Sequence, residues 1–165
     1  MKKLIALFML FTFATAVSYA TETLNGTGTA RAKIIQAATL THETGALNFG
    51  TIIPGDSAGT VTLQAVESPT ASDSVEIAGR VTADPVSSDH FTLANLDTAT
   101  TYTISVPATA TITSSTNNMT VDLTKSDTTV TGVASKVFYV GGTLHVGANQ
   151  AVGSYEGNYT VTVTY

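Results

Sequence analysis

Between Tyr159 and Tyr165 the chain reads Tyr-Thr-Val-Thr-Val-Thr-Tyr, with every odd position aromatic or β-branched and apolar and every even one threonine. A period of two puts successive side chains on opposite faces of an extended backbone, one face in a core and the other in water. Few folds tolerate such a segment except a sheet. The sequence ends on this strand, so the strand is expected either to close a sheet or to offer its edge to another chain.

The rest of the sequence agrees with a sheet protein. It is dominated by Thr, Val, Ala, Ser, Gly and Ile, has no Trp, and few windows show helical spacing. β-branched side chains are stiff at χ1 and favour strands. Alternating or apolar runs are predicted as strands at 33–40, 47–53, 59–65, 74–81, 91–93, 102–106, 110–112, 119–123, 137–140, 143–146 and the terminal segment. Thr116-Asn117-Asn118 is predicted as one hairpin connection and Gly141-Gly142 as another, the glycines accepting the positive φ of a tight turn. The expected class is all-β, a sandwich of about nine short strands.

The first twenty residues are read apart from that domain. Lys2 and Lys3 precede an apolar run, Leu4 to Val17, and Ser18-Tyr19-Ala20 offers a small-x-small cleavage site. This is the pattern of a secretory signal, and the run is too short to span a bilayer comfortably. The expected organisation is a signal peptide at 1–20, a flexible leader at 21–32 and the sandwich at 33–165, with no integral membrane segment after cleavage. The expected location is the periplasm, cell surface or medium of a Gram-negative-type bacterium.

Without Lys2 and Lys3, five basic residues face twelve acidic ones, a net charge near −7. The basic residues are scattered, which disfavours nucleic acid as a partner. The chain has no cysteine, so the fold must hold without disulfides. About 145 residues suffice for a self-supporting core.

No catalytic constellation emerges. The histidines, His42, His90 and His145, stand at no metal-type spacing and are expected on surface loops. His90 beside Asp89 and His42 beside Glu43 are adjacent pairs whose side chains diverge on a strand. Asp84, Asp89 and Asp97 fall in successive predicted loops and offer a weak calcium pattern without EF-type spacing. Serines lack a nucleophile-elbow setting, and Gly141-Gly142 precedes a strand rather than the helix of a phosphate loop. No enzyme activity, cofactor or metal is expected.

Leu47-Asn48-Phe49-Gly50, Gly59-Thr60-Val61-Thr62-Leu63, Tyr102 to Pro107, Val140 to Val146 and Gly153 to Tyr165, in that order, resemble the DUF4402 domain of exported bacterial proteins. The closing segment is also similar to the last strand of spore coat protein U and of archaic chaperone–usher pilins. That resemblance implies an immunoglobulin-like, pilin-like sandwich lacking one strand, filled first by a periplasmic chaperone and then, at the usher, by the leader of the next subunit. Leu24, Gly26, Gly28, Ala30 and Ala32, which share one parity, would be the donor face. Tyr159, Val161, Val163 and Tyr165 would border the acceptor groove.

The expected function is therefore a non-enzymatic exported subunit of a surface fibre or pilus-like assembly, whose partners are copies of itself or related subunits. The alternative is a secreted sandwich that binds carbohydrate or protein as a monomer. The alternating terminal segment also fits an outer-membrane barrel, but eight aromatics after residue 20 and strands of five to seven residues fall short of two aromatic girdles and ten-residue strands.

Overall fold

The computed structural model describes residues 22–165, and the signal segment read at 1–20 lies outside them. Residues 22–33 carry no regular secondary structure and their side chains are exposed. A compact unit spans Ile34–Tyr165. Its strands are β1 (Thr39–His42), β2 (Ile52–Ile53), β3 (Gly59–Leu63), β4 (Ala71–Asp73), β5 (Gly79–Arg80) and β6 (Asp89–Ala94), followed by β7 (Tyr102–Ser105), β8 (Thr109–Ser114), β9 (Asn117–Lys125), β10 (Thr129–Val130), β11 (Lys136–Val146) and β12 (Thr162–Thr164). The described residues contain no helix, and so none long and apolar enough to cross a membrane.

The protein is an all-β sandwich. A seven-stranded antiparallel sheet runs β1-β6-β11-β3-β4, with β9 and then β8 branching from β11. A three-stranded sheet runs β10-β7-β12, and β2 and β5 form a separate ribbon. Alternation places Val61, Leu63, Phe91, Leu93, Val121, Leu123, Phe138, Val140, Leu144 and Val146 of the larger sheet in one core with Tyr102, Ile104 and Val130 of the smaller. The Phe91 and Phe138 rings stack at 5.4 Å. Each such side chain contributes about 1.5–3 kcal/mol on burial. The hydroxyl of Tyr102 is buried but satisfied, accepting from the Asp97 amide at 2.9 Å.

β11 organises the larger sheet and overturns the hairpin predicted at Gly141-Gly142. The glycines lie inside one continuous eleven-residue strand. Val140 is opposite Asp89 and Lys125, and Gly142 is opposite Leu63 and Leu123. β6 and β3 therefore share one edge of β11 end to end, while β9 takes the other. Where the partner changes, backbones crowd: a Cβ on Gly141 would lie 2.5 Å from the Leu63 carbonyl oxygen and 2.6 Å from the Ala65 nitrogen. Neither glycine has a positive φ. Close approach of backbones, not turn geometry, excludes a side chain here.

Other boundaries shift for related reasons. The first strand, predicted at 33–40, lies at Thr39–His42, where β6 supplies a partner. The strand predicted at 47–53 is reduced to the bridge Asn48–Ser87 and the two-residue β2. The run at 74–81, despite its alternation, splits into a turn and the short β5, with Val75 96% exposed and Ile77 buried. The hairpin predicted around Asn117 forms, β8 to β9, with Ser115 at φ 55°. Of the terminal segment, only Thr162–Thr164 is regular strand.

Candidate functional site

β1 and β12 are each terminal in their sheets among the described residues, as are β4, β8 and β10, and they are the two edges linked through one side-chain cluster. In β1, Leu40 is opposite Leu93 and His42 is opposite Phe91, so both face inward. Yet Leu40 is 39% exposed while Leu93 is 1% exposed. The inner face of β1 is thus only partly covered.

β12 pairs on one side only, with β7, matching Thr162 to Ser105, Val163 to Ile104 and Thr164 to Thr103. The Ile104 amide donates to the Thr128 carbonyl on the opposite flank. In an antiparallel ladder a residue's N–H and C=O point the same way, and opposed pairs alternate between bonded and unbonded. The N–H and C=O of Val163 therefore point away from β7, out of the sheet edge.

The four residues read as acceptor candidates line this edge. Tyr159, Val161 and Val163 are half-buried and packed on the core. Tyr165 is 65% exposed and tilts its ring against Tyr102 at 5.1 Å. The donor candidates Leu24, Gly26, Gly28, Ala30 and Ala32 are all exposed, Leu24 at 92%, and Gly26 and Gly28 have open space where a Cβ would stand.

At the head of β6, between these edges, sits a buried carboxylate that the sequence reading placed in a loop. Asp89 is 4% exposed. Its Oδ1 accepts from His42 Nε2 at 2.7 Å and from the His90 amide at 2.9 Å, and its Oδ2 accepts from the Tyr159 hydroxyl at 2.6 Å. Because a carboxylate only accepts, the bonded Nε2 of His42 carries a proton. His42 also stacks on Phe91 at 4.8 Å. Burial, and then the neighbouring Asp89 carboxylate, push the Tyr159 phenol well above its ordinary pKa. One signal for this cluster was present in the sequence: Asp89 shares the parity of Phe91 and Leu93, which puts an acid on an apolar face.

The histidines are strand residues, not the loop residues expected: His42 in β1, His90 in β6 and His145 in β11. His145 Nε2 pairs with Asp122 at 2.7 Å at the surface. The three carboxylates considered for calcium have separate partners. Asp84 accepts from Thr51, Asp89 lies in the cluster above, and Asp97 accepts from Thr100 at 2.8 Å. Among the described residues, no three His, Asp or Glu side chains gather as metal ligands would.

Across the larger sheet, Ser74, Glu76, Asn118, Thr120, His145 and Gln150 line an open cleft of ≈ 560 Å³. The Ser74 hydroxyl, and then the backbone amide of Glu76 itself, hold the Glu76 carboxyl below its usual range.

Residues 38–165 match the family described as "Domain of unknown function (DUF4402)". The chain belongs to the DUF4402 family. The matched region takes in the strands from the last residue before β1 to Tyr165, and so both open edges and the Asp89 cluster of this DUF4402 domain. Neither the curated proteins nor the solved structures compared with it give a match.

Proposed function

We propose that this DUF4402 protein is an exported structural subunit of a surface fibre or pilus-like assembly, and that it polymerises by strand donation. The observation that carries the reading is the free edge of β12, with the N–H and C=O of Val163 directed outward. An exposed edge is a template for pairing, and exported proteins that keep one need it covered. The occupant is residues 22–32 of a second copy.

A strand hydrogen-bonded to Val161, Val163 and Tyr165 turns the bonded residues' side chains to the same face as theirs, toward the core. The leader offers Leu24, Gly26, Gly28, Ala30 and Ala32 on one parity. Small side chains suit the position, because the core residues Ile104 and Leu93 are already 1% exposed and need no bulky cover. During transit the edge would be held by a periplasmic chaperone and handed over at an usher.

Two variants test this by size-exclusion chromatography with light scattering. Removal of residues 21–32 leaves a folded domain that stays monomeric. Val163→Pro removes an N–H that bonds nothing within the sheet, so the domain folds and multimers are lost. Multimers that persist in both variants refute strand donation.

A second reading is favoured by the polar cleft around His145: a secreted module that binds carbohydrate or protein as a monomer. Glycan-array binding by the monomer, lost on Asn118→Ala and Gln150→Ala, would support it. Unaltered binding in those variants would remove the cleft from consideration.

A further inference from the structure

Asp89 is the buried charged side chain of the core, and burying a carboxylate costs several kcal/mol unless its partners compensate. Here the compensation is complete, with three donors on two oxygens. They come from three places in the fold: His42 on β1, the backbone at the head of β6, and Tyr159, three residues before β12. A valine in this position would pack against Phe91 and Val140 and tie nothing together. Besides the packing of Val161 and the bonds of Tyr155, the segment leading into β12 has sparse backbone pairing: a single bridge, Glu156 to Thr113, precedes Tyr159, and regular pairing resumes only at Thr162.

We propose that Asp89 is a clasp for the accepting edge. By holding Tyr159 with one oxygen and His42 with the other, it pins the lead-in of β12 and the β1 edge to one point. The two open edges then stay at a fixed separation, and the outward groups of Val161 and Val163 are presented as extended strand before a partner arrives. The proposal rests on the strand-donation reading for the use of the edge, but the clasp itself is a property of the single domain. Pre-ordering of this kind lowers the entropy lost when the incoming strand pairs.

The test compares the full-length chain with Tyr159→Phe and Asp89→Asn, and with Tyr155→Phe as a control. Tyr155 donates to the Ala151 carbonyl and lies outside the cluster. Amide hydrogen exchange is read at a concentration where monomers predominate, and assembly by light scattering at higher concentration. Expected for Tyr159→Phe and Asp89→Asn is roughly tenfold to hundredfold faster exchange at Thr162 and Thr164, the β12 residues that bond β7, the loss of a hydrogen bond to a charged group. Exchange in β11 stays unchanged, the onset of multimers moves to at least tenfold higher concentration, and Tyr155→Phe behaves as wild type.

Faster exchange spread evenly through β11 would reduce the cluster to general stabilisation and overturn the clasp. So would unchanged exchange at Thr162 and Thr164. Selective loosening in a chain whose wild type never multimerises would uphold the clasp and reject strand donation.

Discussion

Alanine at Gly141 is the sharpest probe of how this sandwich is built. The new Cβ would stand 2.5 Å from the Leu63 oxygen, 2.6 Å from the Ala65 nitrogen and 2.7 Å from the Gln64 carbonyl carbon. All three are backbone atoms, so no rotamer change relieves the overlap, and β3 must move away from β11. Overpacking typically costs about 1–3 kcal/mol, and a clash with backbone alone belongs at the upper end, roughly 3 kcal/mol. At about 3–5 °C per kcal/mol for a domain of this size, Tm falls by roughly 10 °C.

Thermal and urea unfolding followed by circular dichroism would measure this, with two internal references. At Gly59 the two nearest atoms are the Ser74 hydroxyl and the Ile77 methyl, side-chain ends that can shift, and the Glu76 Cβ follows at 3.1 Å. Gly59→Ala should cost about 1 kcal/mol. Gly26→Ala meets nothing within 4 Å and should leave Tm unchanged. A Gly141→Ala protein within 2 °C of wild type (roughly 0.5 kcal/mol), or one more stable than Gly59→Ala, would refute the close approach of β3 and β11.

Further outcomes follow from single side chains. Because Tyr159 keeps its proton in the fold to higher pH than in the unfolded chain, its contribution is complete below pH of about 10 and is lost as pH rises above it. The urea midpoint of wild type should therefore fall more steeply than that of Tyr159→Phe as pH rises above roughly 10; parallel curves would contradict this. Arg80 donates to Asp73 at 2.6 and 3.2 Å and to the Phe49 carbonyl, tying the β2–β5 ribbon to β4. Arg80→Met should cost about 1–3 kcal/mol in denaturant unfolding, and a neutral result would assign these bonds to the surface. Asp127 lies in a setting where burial raises its pKa, but the Ser126 hydroxyl and the Lys136 ammonium outweigh this and hold it below its ordinary value. That stability is present at neutral pH and lost as pH falls below about 4, so Lys136→Met should flatten the acid limb of a pH–stability curve.

How far the sequence carried depended on whether the relevant force was local. Alternation at 59–63, 89–94, 102–105 and 117–125 corresponds to strands with one face buried, because burial on one side of a pleat has the same period as the side chains. The same alternation at 74–81 yielded strand only at Gly79–Arg80, where β2 lies alongside, because a strand exists only through its neighbour's hydrogen bonds. The glycine pair was misread for a similar reason: a turn and a crowded strand crossing both demand glycine, and only the position of β3 distinguishes them.

Composition and period alone determined the all-β class, the parity of the core residues and the inward side of Tyr159, Val161 and Val163. These follow from properties each residue carries wherever it is placed. The tertiary structure decided what depends on residues distant in the chain: that β11 serves three strands, that β12 keeps one edge free, and that His42, Asp89 and Tyr159 meet. Asp89 and Tyr159 stand 70 positions apart. A hydrogen bond across that separation has no local pattern to announce it, because it is created by the packing of two sheets and not by the order of neighbouring residues.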